Sequence, residues 1–255
     1  MIHPTAIIDP DARIANDVDI GPYCVIGPEV TIGEGCIISP HVVIKGPTVI
    51  GERNRIFQFA SIGEDCQDKK YHGEHTRLVI GNDNVFREGV TVHRGTVQDQ
   101  SLTQVGSNNL FMAYAHIAHD CVIGDNCIMA NQATLGGHVT IGNYAILGGL
   151  AAVHQFCHVG AHAMCGGGSI ITKDIAAYVM VSGNPARTHG INAEGLRRRG
   201  FSAESISELR DAYKRVFRSR QTLSDTLVQL QSEPLGEAAQ VFVDSLIASS
   251  RGITR

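Results

Sequence analysis

Tryptophan is absent and aromatic residues fill only 5% of the 255 positions. That argues against an ordinary layered domain, where large rings occupy the space between packed elements. No apolar run approaches the roughly eighteen residues of a membrane span, so a soluble chain is expected. A basic start with an apolar stretch and a cleavage site is also missing, so no secretory signal is expected. Charge of neither sign dominates: the net charge of −4 is too mild to suggest nucleic acid as a partner. Seven cysteines are an odd number without secretory features, which speaks against a disulfide framework and for a cytoplasmic setting. The 43% apolar content is enough for a large core and excludes a disordered chain.

What is present is a repeat. Isoleucine recurs every six residues from Ile2 through Ile8, Ile14, Ile20 and onward to Ile62. Four residues after each comes a small one, as in Ala6, Ala12, Val18, Cys24, Val30 and Cys36. The pattern resumes at Ile80, Phe86 and Val92, slips by one, and runs from Val105 to Ile171. A helix needs apolar residues three and four apart and a free strand needs alternation, so a period of six fits neither. Short strands joined by turns do fit: each hexad is one flat side of a triangular coil, with the aliphatic residue inward and Gly, Asn and Asp serving the corners. Roughly eight to nine coils stacked at about 4.8 Å predict a rod on the order of 40 Å long. Six cysteines fall on the small position and Cys165 on the aliphatic one, so all seven read as core fillers.

The expected organisation is an all-β parallel β-helix over residues 1–190, with loops at 64–77 and 98–104, followed by a small α-helical C-terminal domain over 191–255. Asp68 and Glu74 stand where the frame wants isoleucine, so the first loop must swing out. In the tail, Ser205 with Glu208 suggests a capping box opening a helix through about Arg218, and Thr222 and Gly236 precede two more helical stretches. Residues 191–220 hold eight Lys or Arg against four Asp or Glu, and Arg210, Lys214 and Arg218 lie four apart, which points to an anionic partner.

Histidines crowd into residues 116–162. Because residues eighteen apart share a phase, Gly137 lies over His119 and Gln155 one coil further on, with His138 and His154 flanking the column. A base beside a glycine amide is the pairing that acyl transfer requires: His119 takes a proton from a hydroxyl attacking a thioester, while Gly137 N–H holds the oxyanion. Asp120 could orient the imidazole if the turn allows it. The competing reading has three of these histidines holding zinc, although no compact ligand spacing demands it.

The segments 67–74 (QDKKYHGE), 93–96 (HRGT), 115–120 (AHIAHD), 153–156 (VHQF) and 194–201 (EGLRRRGF), with the closing Gly183-Asn184-Pro185-Ala186, resemble the UDP-N-acetylglucosamine O-acyltransferases of the hexapeptide-repeat family. The resemblance covers essentially the whole chain. It implies a left-handed coil, and transfer of an (R)-3-hydroxyacyl group from acyl carrier protein to the glucosamine 3-hydroxyl of UDP-N-acetylglucosamine, the first step of lipid A biosynthesis. It also implies a cytoplasmic homotrimer with sites between subunits and no resident cofactor or metal, the phosphopantetheine arriving on the donor. By residue, it implies His119 as base, Asp120 in support and Gly137 as the oxyanion donor. Gln67, Asp68, Lys70, His116, His138, His154, Gln155, Asn192, Glu194, Arg198 and Arg199 would bind substrate. Gly167 would leave the acyl groove open for a chain near fourteen carbons. His75 departs from the family, which has proline before Thr76-Arg77. Hexapeptide acetyltransferases that use acetyl-CoA are the alternative.

Overall fold

The computed structural model describes residues 1–255. Twenty-seven strands of two to five residues run from Ile7–Ile8 to Arg187–Ile191 and stack into three sheets of nine, eight and ten strands, one per side of a rod. All pairings are parallel except the last, where Arg187–Ile191 turns back antiparallel on Val179–Ser182. This is the parallel β-helix expected from the hexads, with the left-handed coil that the resemblance implies. Ile8, Ile26 and Ile44 are register partners at the eighteen-residue spacing of one coil. Ile20 to Ile62 are at most 3% exposed, each burial worth roughly 1.5–3 kcal/mol. Ile2, at the first coil with no neighbour beneath, is 50% exposed.

The loops explain the one-residue slip. Ile62 pairs with Val92, thirty residues on, so the first loop adds twelve to the coil repeat of eighteen. Val92 pairs with Ile117, twenty-five on, so the second adds seven. Twelve is two hexads and keeps the frame; seven shifts it by one.

The corners are not reserved for Gly, Asn and Asp. Tyr23, His41, Phe59, Tyr114, Leu150 and Phe156 also adopt positive φ there, a conformation costing on the order of 1 kcal/mol or more for such residues. Stacking along an edge offsets this: Tyr23 lies 5.1 Å from His41, and His41 5.5 Å from Phe59, pairs worth roughly 0.5–1.5 kcal/mol. Asn54, at a small position, is buried in a ladder: Asn84 donates to Asn54 Oδ1 through both its N–H and its side-chain Nδ2, and Asn109 N–H donates to Asn84 Oδ1. All seven cysteines are free and buried.

The tail forms α1 (Ala193–Arg198), α2 (Ala203–Phe217), α3 (Leu223–Gln231) and α4 (Glu237–Ile247). The capping box expected at Ser205 is not formed. Ser202 caps α2, accepting from Ser205 N–H, and the Glu208 carboxylate instead accepts from Gly236 N–H at the start of α4. Thr222 caps α3 as expected. Asp174 anchors the end of the chain, its Oδ2 accepting from Ser249 Oγ and the Ser250 and Arg251 amides. No helix is long and apolar enough to cross a membrane.

Candidate active site

The coil has three edges, and each carries a column of left-handed corner residues: Asp120, His138 and Phe156 on one, Asn126, Tyr144 and His162 on the next, Gln132, Leu150 and Gly168 on the third. The first edge carries the site. Consecutive side chains of an extended strand point apart, but Asp120 has φ 57°, and this kink brings its Oδ2 to 2.8 Å from His119 Nδ1. The carboxylate, 5% exposed, also accepts from Thr96 N–H at 2.9 and 3.0 Å and from Thr96 Oγ1 at 2.6 Å. Burial pushes the Asp120 carboxyl up, but the hydrogen bonds from His119 and Thr96 and the nearby His138 outweigh it and hold it below its ordinary range. An ionised carboxylate only accepts, so the proton of this contact is on His119 Nδ1, and in the neutral ring that tautomer puts the lone pair on Nε2.

Gly137 lies over this imidazole as the coil arithmetic predicts. A Cβ there would sit 2.5 Å from both Cε1 and Nε2 of His119, so only glycine fits without displacing the ring. Its N–H donates to no backbone acceptor. His138 stands edge-on to His119 at 5.0 Å and stacks on Phe156 at 4.3 Å, while its Nδ1 lies 2.8 Å from Asp99 Oδ2 in the second loop. Both interruptions of the repeat converge here, and Asp68, Lys70, Gln98, Asp99, His138 and Gln155 line a cleft of about 450 Å³. Gln67 is exposed on the first loop, and His154 is exposed beside Gln155, its Nδ1 3.1 Å from the Gln155 carbonyl.

His116 sits on the adjoining sheet face, its Nδ1 2.7 Å from Thr91 Oγ1 and its ring 5.0 Å from His93. Burial and then the nearby His116 push His93 down to about 4, and burial and then His119 lower His116. Both therefore stay neutral beside His119. The unfolded chain protonates His93 near pH 6.5 and the folded one only near 4, so the unfolded state takes the proton first. Stability is full above about pH 6.5 and drains as pH falls toward about 4, by up to about 3 kcal/mol from this group. Thermal melts across that window should show the loss, and His93→Asn should flatten it.

Other residues named from the resemblance lie elsewhere in the chain. Asn192 is buried and caps α1, accepting from Gly195 N–H and donating to the His162 carbonyl. Glu194 pairs with Arg197 and Arg198. Arg199 covers the Tyr144 ring at 5.2 Å, on the second edge, and Gly167 stacks over Gly149 beside the third. Conversely, the structure adds Thr96, Asp99 and the buried His93 to the site, none of which the sequence singles out. Thr96 and His93 lie within the 93–96 segment and Asp99 within the second loop, but nothing in their spacing signals the contacts they make.

The family described as "Udp N-acetylglucosamine O-acyltransferase; Domain 2" matches residues 174–254, "Bacterial transferase hexapeptide (six repeats)" matches 102–137, and "GMPPB C-terminal domain" matches 2–108. The acyl-[acyl-carrier-protein]–UDP-N-acetylglucosamine O-acyltransferases of Stutzerimonas stutzeri and Ectopseudomonas mendocina are 57% and 58% identical to this chain, covering 100% of it and 99% of their own length. Among solved structures, LpxA from Acinetobacter baumannii is 55% identical with a TM-score of 0.98, covering 100% of this chain and 99% of its own. The UDP-N-acetylglucosamine acyltransferase of Francisella novicida is 41% identical at the same TM-score, covering 100% and 94%. With the hexad coil, the histidine column and these full-length relatives in agreement, the chain belongs to the UDP-N-acetylglucosamine O-acyltransferase family.

Proposed function

We propose that this protein transfers a 3-hydroxyacyl group from acyl carrier protein to the glucosamine 3-hydroxyl of UDP-N-acetylglucosamine, with His119 as general base. The observation that carries this reading is the His119 imidazole held at Nδ1 by Asp120 while Nε2 faces Gly137. Nε2 takes the proton of the attacking hydroxyl, the new C–O bond forms, and the charge on the thioester oxygen is met by Gly137 N–H. The C–S bond then breaks and the phosphopantetheine sulfur leaves. A thiol of pKa about 8.5 is a good leaving group, and the proton on His119 returns to it. Each atom is accounted for without a resident cofactor. His119, Asp120 and His138 are also the one cluster with ligand atoms close enough for a metal ion, within 4.8 Å of one another. The Asp120 oxygens, however, already accept from Thr96 and His119 and His138 Nδ1 is engaged by Asp99, so we read the cluster as a His119–Asp120 pair with His138 beside it.

The division of the remaining residues among three edges supports a homotrimer. Packing three-sided rods about a threefold axis would set the second or third edge of one copy, with Arg198, Arg199 or Gly167, against the His119 edge of the next. Asp68, Lys70, His116, His138, His154, Gln155, Gln67 and Glu194 would then line one shared cleft, with the buried Asn192 capping the helix that carries Glu194. Arg210, Lys214 and Arg218 border a second cleft between α2 and the Arg187–Ile191 strand, beside a buried Tyr213 hydroxyl without a partner. A positive cleft of this kind suits an acidic carrier protein. Seven free cysteines fit a cytoplasmic setting.

A Cβ at Gly167 would press on the Gly149 backbone, at 3.3 and 3.9 Å; with the glycine read from the resemblance as leaving the acyl groove open, a chain near fourteen carbons is expected to outpace ten. The test is acylation of UDP-N-acetylglucosamine with 3-hydroxyacyl carrier proteins of about ten, twelve and fourteen carbons beside an acetyl-CoA control, read by mass spectrometry. Acylation strongest at fourteen supports the reading. Acetylation alone would replace it with the acetyl-CoA alternative.

A further inference from the structure

The first loop brings Asp68 and Lys70 to the cleft, yet neither is tied to the coil by its own side chain. The Asp68 carboxylate accepts from Lys70 N–H, and Asp68 N–H meets Cys66 Sγ, all within the loop. Two exposed side-chain contacts link the loop to earlier coils, the Lys45–Glu64 ion pair and a 3.1 Å hydrogen bond between His75 Nε2 and Glu29 Oε1, and exposed contacts of this kind are weak. Backbone bonds from Arg94 and Gly95 hold the two ends of the loop, and the buried side-chain hydrogen bonds to it come from Arg94. Its side chain is 7% exposed, and its guanidinium donates to the Gly63 carbonyl at the loop entrance, to the Asp65 carboxylate, and to Tyr71 Oη at 3.0 Å. Tyr71 in turn donates to the Glu74 carbonyl at 3.1 Å. A planar fork that engages three acceptors at once fixes both their spacing and their plane, which an ammonium cannot do.

Arg94 also stands in the middle of the site's other attachments. His93 packs on His116. At Gly95, a Cβ would come within 2.8 Å of Asp120 Oδ1. Thr96 gives Asp120 its amide and hydroxyl. One four-residue segment thus holds the loop on one side and the His119–Asp120 pair on the other.

We propose that Arg94 is a positioning residue that sets the 64–77 loop, and with it Asp68 and Lys70, over the His119 edge. It touches neither Asp68 nor Lys70, so its effect runs through the loop. This inference rests on the acyl-transfer reading, in which that loop helps bind the sugar nucleotide.

The test is steady-state kinetics on full-length Arg94→Met, Tyr71→Phe, Lys70→Ala and the Arg94→Met/Lys70→Ala double variant, with amide hydrogen exchange. Arg94→Met should raise KM for UDP-N-acetylglucosamine on the order of tenfold with kcat far less affected, and speed exchange in residues 64–77 but not in 105–171. Tyr71→Phe, which leaves the coil core untouched, should shift KM in the same direction by less and keeps the test alive if Arg94→Met fails to fold. The double variant should be no worse than the more affected single, because both act through one loop. An unchanged KM beside a lowered melting temperature, or additive effects in the double variant, would make Arg94 merely structural and overturn the proposal. Failure of the unmodified protein to acylate UDP-N-acetylglucosamine at all would instead remove the reading beneath it.

Discussion

Replacing His119 by alanine is expected to lower kcat for UDP-N-acetylglucosamine acylation by about 10³-fold, within the range of roughly 10²–10⁴ for loss of a positioned general base. That corresponds to about 4 kcal/mol of transition-state stabilisation. The fold should tolerate the change, because Asp120 keeps both Thr96 donors when the imidazole is gone and the ring packs beside His138 at a corner of the coil rather than in the isoleucine core. Steady-state turnover beside a thermal melt checks both halves. A loss confined to kcat, with KM for the sugar nucleotide within a few-fold, is the expected pattern for a group that acts only in the transition state.

The second large effect is at Gly137. An alanine Cβ would stand 2.5 Å from two atoms of the His119 ring, and that ring is held on its other side by Asp120 at 2.8 Å. Either the His119–Asp120 bond breaks or the Gly137 amide moves off its line, and both misplace a group that must act within ångströms of the thioester carbon. Gly137→Ala should therefore cost on the order of 10²-fold in kcat. The strain exists only while the imidazole does, so Gly137→Ala should cost little more when added to His119→Ala. Kinetics of the two singles and the double measure that non-additivity directly.

Much of this is legible in the residues because a solenoid turns sequence spacing into spatial position. The isoleucine hexads predict the core, and the eighteen-residue phase alone puts Gly137 over His119. The same phase could separate Arg199, stacked on Tyr144, from the His119 edge, but that needs the tail to be placed first, and helices packed on a coil follow no repeat. The Asp120 contact depends on a single left-handed φ, which aspartate tolerates better than most residues but which no pattern demands. The Asp99–His138 and Arg94–Tyr71 contacts join segments brought together by loops of irregular length, where periodicity carries no information. The true α2 cap stands three residues before the expected one because Ser202 and Ser205 are both plausible caps. Only the fold shows that Glu208 bonds across to Gly236 rather than back to its own helix.

The most direct measurement of the central claim is the position of the new bond. The wild-type protein and His119→Ala are each incubated with UDP-N-acetylglucosamine and the fourteen-carbon 3-hydroxyacyl carrier protein, and the sugar nucleotide product is assigned by NMR. An ester at the glucosamine 3-oxygen in the wild type, with holo carrier protein released in equal amount and no such ester in the variant over the same time, is what the account predicts. An acyl group on another atom of the sugar, or the same ester formed at the same rate without His119, would contradict it.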